Sequence, residues 1–444
     1  MKKKILIITP FFAPETHAAV FRAHKLAKYL NRGNWEVHVL TVDINYTYNE
    51  DENLLKEFEG VTIHRAKYIE PTLRGLKMWL TGKDRTFKTL KKKGYYNVEK
   101  EINNLEKEKT TTNWKSKLYN YILENYSNNP DRFWTWERSA VKMGESIVKK
   151  HQIEIVYTTC LPFTTNRIGI KLKQKTNIKW VADFRDPITY AKRMYSSKNT
   201  IFNNQKKIQD LTFKYANHIT VLSSAYELIF HDQYEGLYNH KITFIPTGLD
   251  DDYLPNTLNE NTTENYIVFI GEYLKEYEDH FLKLMSKVLK KHKGLNSLKI
   301  KIIGNIDINY KILIPLLKKH NIYEYFEFID HIPQIKLYQI VKASKFAILL
   351  SGKNTLWWTN FAKLVDYIAL QKPVLAMVPS ISEARSELSK AGLGIFLDDN
   401  NKMEGQLENL INGDLILPEC NIEYCKNYLA STQVKSFIKV FESL

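Results

Sequence analysis

Cysteine is scarce in this chain of 444 residues, which has only Cys160, Cys420 and Cys425. Three are too few, and too unevenly placed, for a disulfide framework. Cys420-x4-Cys425 without a histidine partner is also a poor zinc site, so a reduced, cytoplasmic setting is expected. Long apolar runs are missing as well. Met1-Lys-Lys-Lys4 followed by Ile5–Ile8 has the outline of a signal peptide, but the apolar run stops at Thr9-Pro10. That is far short of the ~20 apolar residues a membrane span needs, and it reads as a first buried strand. Elsewhere the longest runs, such as Phe346–Leu350, are also of strand length. There is no low-complexity tract and no internal repeat of the kind that builds solenoids or propellers. No nucleophile dyad and no metal-ligand spacing stands out, so neither a metal nor another cofactor is expected. The chain is basic, yet no nucleic-acid-binding motif accompanies the charge, and no nucleic-acid partner is expected.

What is present is a chain too long for one hydrophobic core, which makes two domains the natural expectation. Its composition, 44% apolar and 25% charged, is that of a globular protein. The formal net charge of +15 is unevenly spread. Between Arg65 and Lys93 ten Lys and Arg residues, among them Lys77, Arg85, Lys91 and Lys92, face only Glu70 and Asp84. Trp79, Leu80 and Phe87 are interleaved with them. This is the pattern of a segment that rests on an anionic membrane surface; the plainer alternative is a solvated loop in a lysine-rich chain.

Short apolar runs alternate with helical periodicity along the chain, which predicts α/β layers built on parallel sheets. In the first half strands are expected at Lys4–Thr9, Glu36–Val42, Val61–Arg65, Ile153–Thr158, Lys179–Asp183, His218–Leu222 and Ile242–Ile245. Helices are expected at Ala18–Arg32, ended by Gly33 as the left-handed C′ residue, and at Ser139–Lys150, Thr165–Lys173, Asn204–Tyr215 and Ala225–Gln233. Asp250–Asn265 is acidic, Asn-rich and nearly devoid of apolar residues, and it reads as a linker. The alternation then restarts, with strands at Tyr266–Ile270, Lys299–Ile303, Phe326–Ile329, Phe346–Leu350 and Val374–Val378. The expected domains are 1–250, carrying a basic and aromatic insertion at about 65–135, and 266–430, joined by a linker at 251–265. In the last segment, 431–444, a helix at Thr432–Ser443 with Ser431 as its N-cap would pack back on the first domain. Two such units predict ligand binding at the carboxyl ends of the strands, in a cleft between the sheets.

The segment Thr359–Asp366 carries the most chemistry. Thr359 reads as an N-cap, and the free amides and dipole of the helix it opens suit a diphosphate. Lys363 is placed to reach the same anion. Asp366, three residues on, offers two acceptor oxygens that suit paired ribose hydroxyls. On spacing alone, an ordinary Lys–Asp pair on a solvated helix face is the competing reading.

Together with the residues that follow, Gln371-Lys-Pro373-Val-Leu-Ala376, this segment resembles the K-LF-EYLA-GKPVLA signature of retaining family 4 glycosyltransferases, which have the GT-B fold of two Rossmann-like doubly wound domains facing a central cleft. Ile5–Thr41 is similar to that family's first strand, loop and helix, and Val181–Pro187 resembles the ADFRDPW segment of its bacterial capsule and exopolysaccharide members. Ile242–Leu249, Lys299–Asn305, Phe328–Pro333 and Ser382–Gly394 extend the resemblance over most of the chain.

The resemblance implies that Asp366 holds the nucleotide ribose, as the second of two glutamates eight residues apart does in the family. Trp358 stands where the first glutamate would be, a departure that puts the donor-sugar contacts in question. Gly271, directly after a strand, and Lys275 are candidates to approach and neutralise the leaving diphosphate. His17, in a loop after the first strand, is a candidate contact to donor or acceptor. Asp183, Arg185 and Asp186 follow a buried strand. Either aspartate is a candidate catalytic or sugar-binding group and Arg185 a sugar or acceptor contact, unless they pair internally.

The implied activity is transfer of a sugar from a nucleotide-sugar donor to a saccharide acceptor, lipid-linked at the inner face of the cell membrane, with retention and without a metal. The competing readings are an inverting transferase with Asp183 or Asp186 as base, a degenerate scaffold subunit, and a sugar-nucleotide epimerase.

Overall fold

The computed structural model describes residues 2–15, 19–43, 52–71, 129–187, 199–255, 265–277, 279–291, 298–351, 357–397, 403–412, 414 and 417–444. His17, Lys77, Arg85, Lys91, Lys92 and most of the expected linker lie outside the described residues.

The chain divides into two compact units. Unit 1 comprises Met1–Leu222, Tyr226–Phe244 and Ser436–Leu444, and unit 2 comprises Ser223–Ala225 and Ile245–Lys435. The division thus falls at Ile245, ahead of the acidic Asp250–Asn265 stretch, and the last residues of the chain belong to unit 1.

Unit 1 is built on seven strands: β1 (Lys4–Ile8), β2 (Glu36–Val42), β3 (Thr62–Ala66), β4 (Ile155–Cys160), β5 (Lys179–Phe184), β6 (His218–Val221) and β7 (Ile242–Phe244). They pair in the order β3-β2-β1-β4-β5-β6-β7, all parallel. Helices cover both faces of such a sheet, which is why its central strands are buried without alternation; Ile5–Ile8 and Ile155–Cys160 are buried throughout. Gly169 lets the helix Phe163–Thr176 lie directly on β5. A Cβ there would sit 2.4 Å from the Trp180 ring.

Unit 2 repeats the scheme with β8 (Tyr266–Ile270), β9 (Lys299–Ile303), β10 (Phe326–Ile329), β11 (Phe346–Leu350), β12 (Val374–Met377) and β13 (Gly394–Phe396). Their order is β10-β9-β8-β11-β12-β13, again parallel. Two apolar layers sandwich this sheet. One gathers Phe269, Phe281, Leu313 and Ile348, the other Val268, Leu364, Ile368 and Leu388.

Three terminator expectations are corrected. Gly33 has φ −81°, and Asn34 takes the left-handed position after the helix Phe21–Arg32. Ser431 lies inside the last helix, Ala430–Glu442, and the capping group is the carboxylate of Asp251. It accepts from the Ser431 amide at 2.9 Å and from its hydroxyl at 2.5 Å. The helix Ala362–Ala369 starts after Phe361 with no side-chain cap, so Thr359 is not its N-cap.

Candidate functional site

In an open parallel sheet, ligands bind at the carboxyl ends of the strands where the order reverses, because neighbouring loops there leave in opposite directions. In unit 2 that point lies between β8 and β11. These two strands pair only through Phe346↔Ile267 and Ala347↔Val268. Beyond that register the hydroxyl of Tyr367 spans the gap. It accepts from the Ile270 amide and donates to the Ile348 carbonyl, both at 3.3 Å. The buried Tyr367 therefore satisfies two backbone groups that a continuous ladder would have paired, and the strands part above it.

Gly271 follows β8 directly at φ +96°, a conformation that favours glycine, and a Cβ placed on it would meet nothing within 4 Å. Its backbone is pinned from behind. The amide donates to the Ile303 carbonyl at 2.7 Å, and Asn309 Nδ2 donates to the Gly271 carbonyl at 3.1 Å. Asn309 Oδ1 accepts from the Tyr273 amide at 2.8 Å, so one buried side chain fixes both ends of the turn. Gly304 is required for this closeness, since a Cβ there would lie 2.7 Å from the Gly271 carbonyl oxygen.

Lys363, in the first turn of the helix Ala362–Ala369, turns its ammonium onto the ring of Phe269 at 4.1 Å, with Tyr277 at 5.5 Å. No carboxylate pairs with it among the described residues. Desolvation pulls its pKa down to about 7. A desolvated cation of this kind gains most from an anion brought to it. Asp366, one turn on, is half-buried and accepts at 3.1 Å from the hydroxyl of Tyr338, which in turn accepts from Gln334 Nε2 at 2.6 Å. The Thr359 hydroxyl has no hydrogen-bond partner among the described residues.

The structure thus brings Gly271, Lys363 and Asp366 to the elements that flank one strand-order reversal. Lys275 is exposed and lines a groove with Tyr273, Lys311 and Pro315, against the helix Ile306–His320. Trp358 is a core residue, its side chain buried, and its carbonyl accepts from Ser223 Oγ at 3.2 Å.

In unit 1 the expected roles change. Asp183 is fully buried and accepts two bonds from the buried Arg22, from Nε at 2.8 Å and Nη2 at 2.7 Å. Thr159 and Thr220, its register partners on β4 and β6, donate to it at 3.3 and 2.7 Å. A carboxylate so enclosed is unavailable to substrate, which corrects the expectation of Asp183 as base or sugar contact: its partner is Arg22, not Arg185. Arg185 donates to the Ala19 carbonyl at 3.0 Å and to the Leu161 carbonyl at 2.5 Å, tying together the chain after β1 and after β4. Those two strands form the order reversal of this sheet. Arg185 is therefore a loop-positioning residue, and its expected sugar contact has no support from its hydrogen bonds. Asp186 is half-buried beside it.

The sequence reading missed Arg22, Asn309, Tyr338 and Tyr367. Each acts through a partner far away in the chain, so no local pattern marks it. Three histidines, His38, His64 and His151, also converge in unit 1, and no spacing along the chain signals that convergence.

The sequence matches no protein-family model and no curated protein. Solved structures do match over almost the whole chain. HepE of Anabaena, in complex with UDP, is 11% identical over 99% of this chain and 98% of its own, with a TM-score of 0.56. The lipopolysaccharide outer core galactosyltransferase WaaB is 11% identical over 99% of both chains, also at 0.56. A putative UDP-N-acetylglucosamine 2-epimerase from Listeria monocytogenes is 11% identical over 100% of this chain and 96% of its own, at 0.53. The fold is GT-B. The two parallel sheets with interleaved helices are those of the GT-B neighbours, and at this identity the likeness speaks for the fold alone.

Proposed function

We propose that this GT-B protein is a glycosyltransferase that takes a sugar from a nucleoside diphosphate donor bound at the β8–β11 end of unit 2. The observation that carries the reading is Lys363, a desolvated cation without a carboxylate partner among the described residues, whose ammonium lies over Phe269, two residues before the open Gly271 turn. As the glycosidic bond breaks, negative charge builds on the departing diphosphate. Lys363 meets that charge, and the Gly271 turn lets backbone approach it. Asp366, steadied by Tyr338, accepts from the ribose hydroxyls. UDP is the first nucleotide to test, because the similar HepE structure contains it.

The buried indole of Trp358 leaves no carboxylate at the position eight residues before Asp366. Contacts to the donor sugar therefore come from other residues than the resemblance to family 4 implies. Retention follows from that resemblance: the acceptor hydroxyl attacks on the face from which the diphosphate departs, and the diphosphate takes its proton. Inversion would need a base, and with Asp183 locked to Arg22 the candidate left for it is Asp186. The acceptor is a saccharide, lipid-linked in cell-surface polysaccharide synthesis, and the part of the basic Arg65–Lys93 stretch that follows β3 rests on the anionic inner face of the membrane.

A calorimetric screen against UDP-, GDP- and dTDP-sugars tests the reading. One of them binds, and Asp366→Ala weakens it by about tenfold or more, the loss expected for a charge-assisted hydrogen bond. If none binds, the scaffold reading takes over. If a bound UDP-sugar is inverted within its ring without any acceptor, the epimerase reading does.

A further inference from the structure

We propose that His38, His64 and His151 form a zinc site in unit 1, at the end of the sheet opposite the strand carboxyl ends. His38 lies near the start of β2, His64 on the neighbouring edge strand β3, and His151 is the last residue of the helix Glu137–His151 that leads into β4. The β2–β3 register pairs Leu40 with His64, so His38 and His64 share one face of the sheet. One nitrogen from each of the three rings lies within 4.8 Å of the others. His38 Nδ1 and His64 Nε2 are 2.9 Å apart, and the His38 and His151 ring centroids 4.4 Å.

Tetrahedral coordination at ~2.0–2.1 Å sets its nitrogens about 3.3 Å apart, so three donors here need only small side-chain rotations to reach it. The far nitrogen of His38, Nε2, lies 3.1 Å from Glu36 Oε1. This is the carboxylate–imidazole arrangement that fixes a ligand histidine with its other nitrogen's lone pair facing the metal. Lys4 ties the surroundings together: its ammonium is 3.4 Å from Glu36 Oε2 and donates to the His151 carbonyl at 3.0 Å. A bare hydrogen bond between His38 and His64 accounts for two of the rings. It does not account for the third, nor for Glu36 on the outer nitrogen.

Three imidazoles without a thiolate select a borderline divalent ion, zinc before calcium or magnesium. His38 is buried while His64 and His151 are half-buried, so the fourth position opens toward solvent. Bound there, the ion would clip the edge strand β3 to β2 and to the end of a helix. The site stabilises unit 1 and takes no part in the donor chemistry of unit 2.

The full chain, freed of metal by chelation, tests this with Co2+ and Zn2+ as the probes. One equivalent of Co2+ gives the visible spectrum of a four-coordinate, nitrogen-ligated ion, and Zn2+ displaces it. Zn2+ raises the thermal midpoint, since it binds the folded chain. In His64→Ala/His151→Ala the spectrum and the thermal shift are lost, while far-UV circular dichroism reports an intact fold. Glu36→Gln keeps the spectrum and weakens binding about 10–100-fold. Wild-type protein that gives no four-coordinate Co2+ spectrum overturns the proposal, whatever the variants do. So does a double variant that binds zinc as the wild type does.

Discussion

Lys363 and Asp183 show how differently the tertiary environment treats two charges that look alike in sequence. Asp183 has four donors arranged around it, and its removal would leave the buried Arg22 uncompensated, the costly half of a buried pair. Lys363 has two aromatic faces instead of a carboxylate. Its pKa of about 7 lies below the ordinary lysine value, so the unfolded chain binds more protons than the folded one from about pH 7 up to the ordinary lysine range. Below about pH 7 burial of the charged form weakens the fold, and the penalty fades as pH rises. Ligand binding runs the other way. A diphosphate favours the ammonium, so above pH 7 the site must take up a proton to bind it. Between pH 7 and 9, UDP affinity by calorimetry should therefore fall with rising pH by up to about tenfold per unit. Lys363→Met should bind more weakly at pH 7 and show no such slope. A wild-type affinity flat over this range would remove Lys363 from the diphosphate site.

At the scale of elements, the crevice depends on β8 and β11 separating without leaving orphaned backbone groups, and Tyr367 accomplishes both. Tyr367→Phe keeps the apolar packing and strips one hydroxyl that serves an amide and a carbonyl. It should cost about 1–3 kcal/mol in urea unfolding, the range for leaving buried polar groups unpaired. A stability unchanged by the substitution would mean that the strand ends find other partners. Much at this scale was legible in sequence. The bounds of Glu36–Val42, Tyr266–Ile270, Lys299–Ile303 and Phe346–Leu350 follow from apolar periodicity alone. The helix starts were less legible. Thr359 has the chemistry of a cap, yet the helix begins at Ala362, and Asp251 caps the last helix from some 180 residues away. A cap is local only when the chain before the helix turns the right way, and tertiary contacts decide that.

For the whole molecule, two parallel sheets arise because the same strand–helix alternation occurs twice, and parallel pairing demands long crossovers that only such alternation supplies. Within the described residues no helix is long and apolar enough to cross a membrane. The acceptor proposed above lies at a membrane, and the positive charge of the Arg65–Lys93 stretch is the feature proposed to bring the chain to it. Vesicles containing anionic lipid should co-sediment the protein at low ionic strength and release it at high salt, as screening requires. Neutral vesicles should not. Equal partition to both would place the contact elsewhere or make it apolar.

The sequence by itself determined the α/β class, the repeat of the alternation, and the Lys363–Asp366 spacing, because each is written in residues close together in the chain. Only the tertiary structure decided which charges are paired in the interior and which are left facing aromatic rings. It joined Arg22 to Asp183 across 161 residues, set Tyr367 between two strands, and gathered three histidines from β2, β3 and the end of a helix. These outcomes depend on strand order and register, which fix what lies beside what, and a linear pattern of apolar residues does not encode either one.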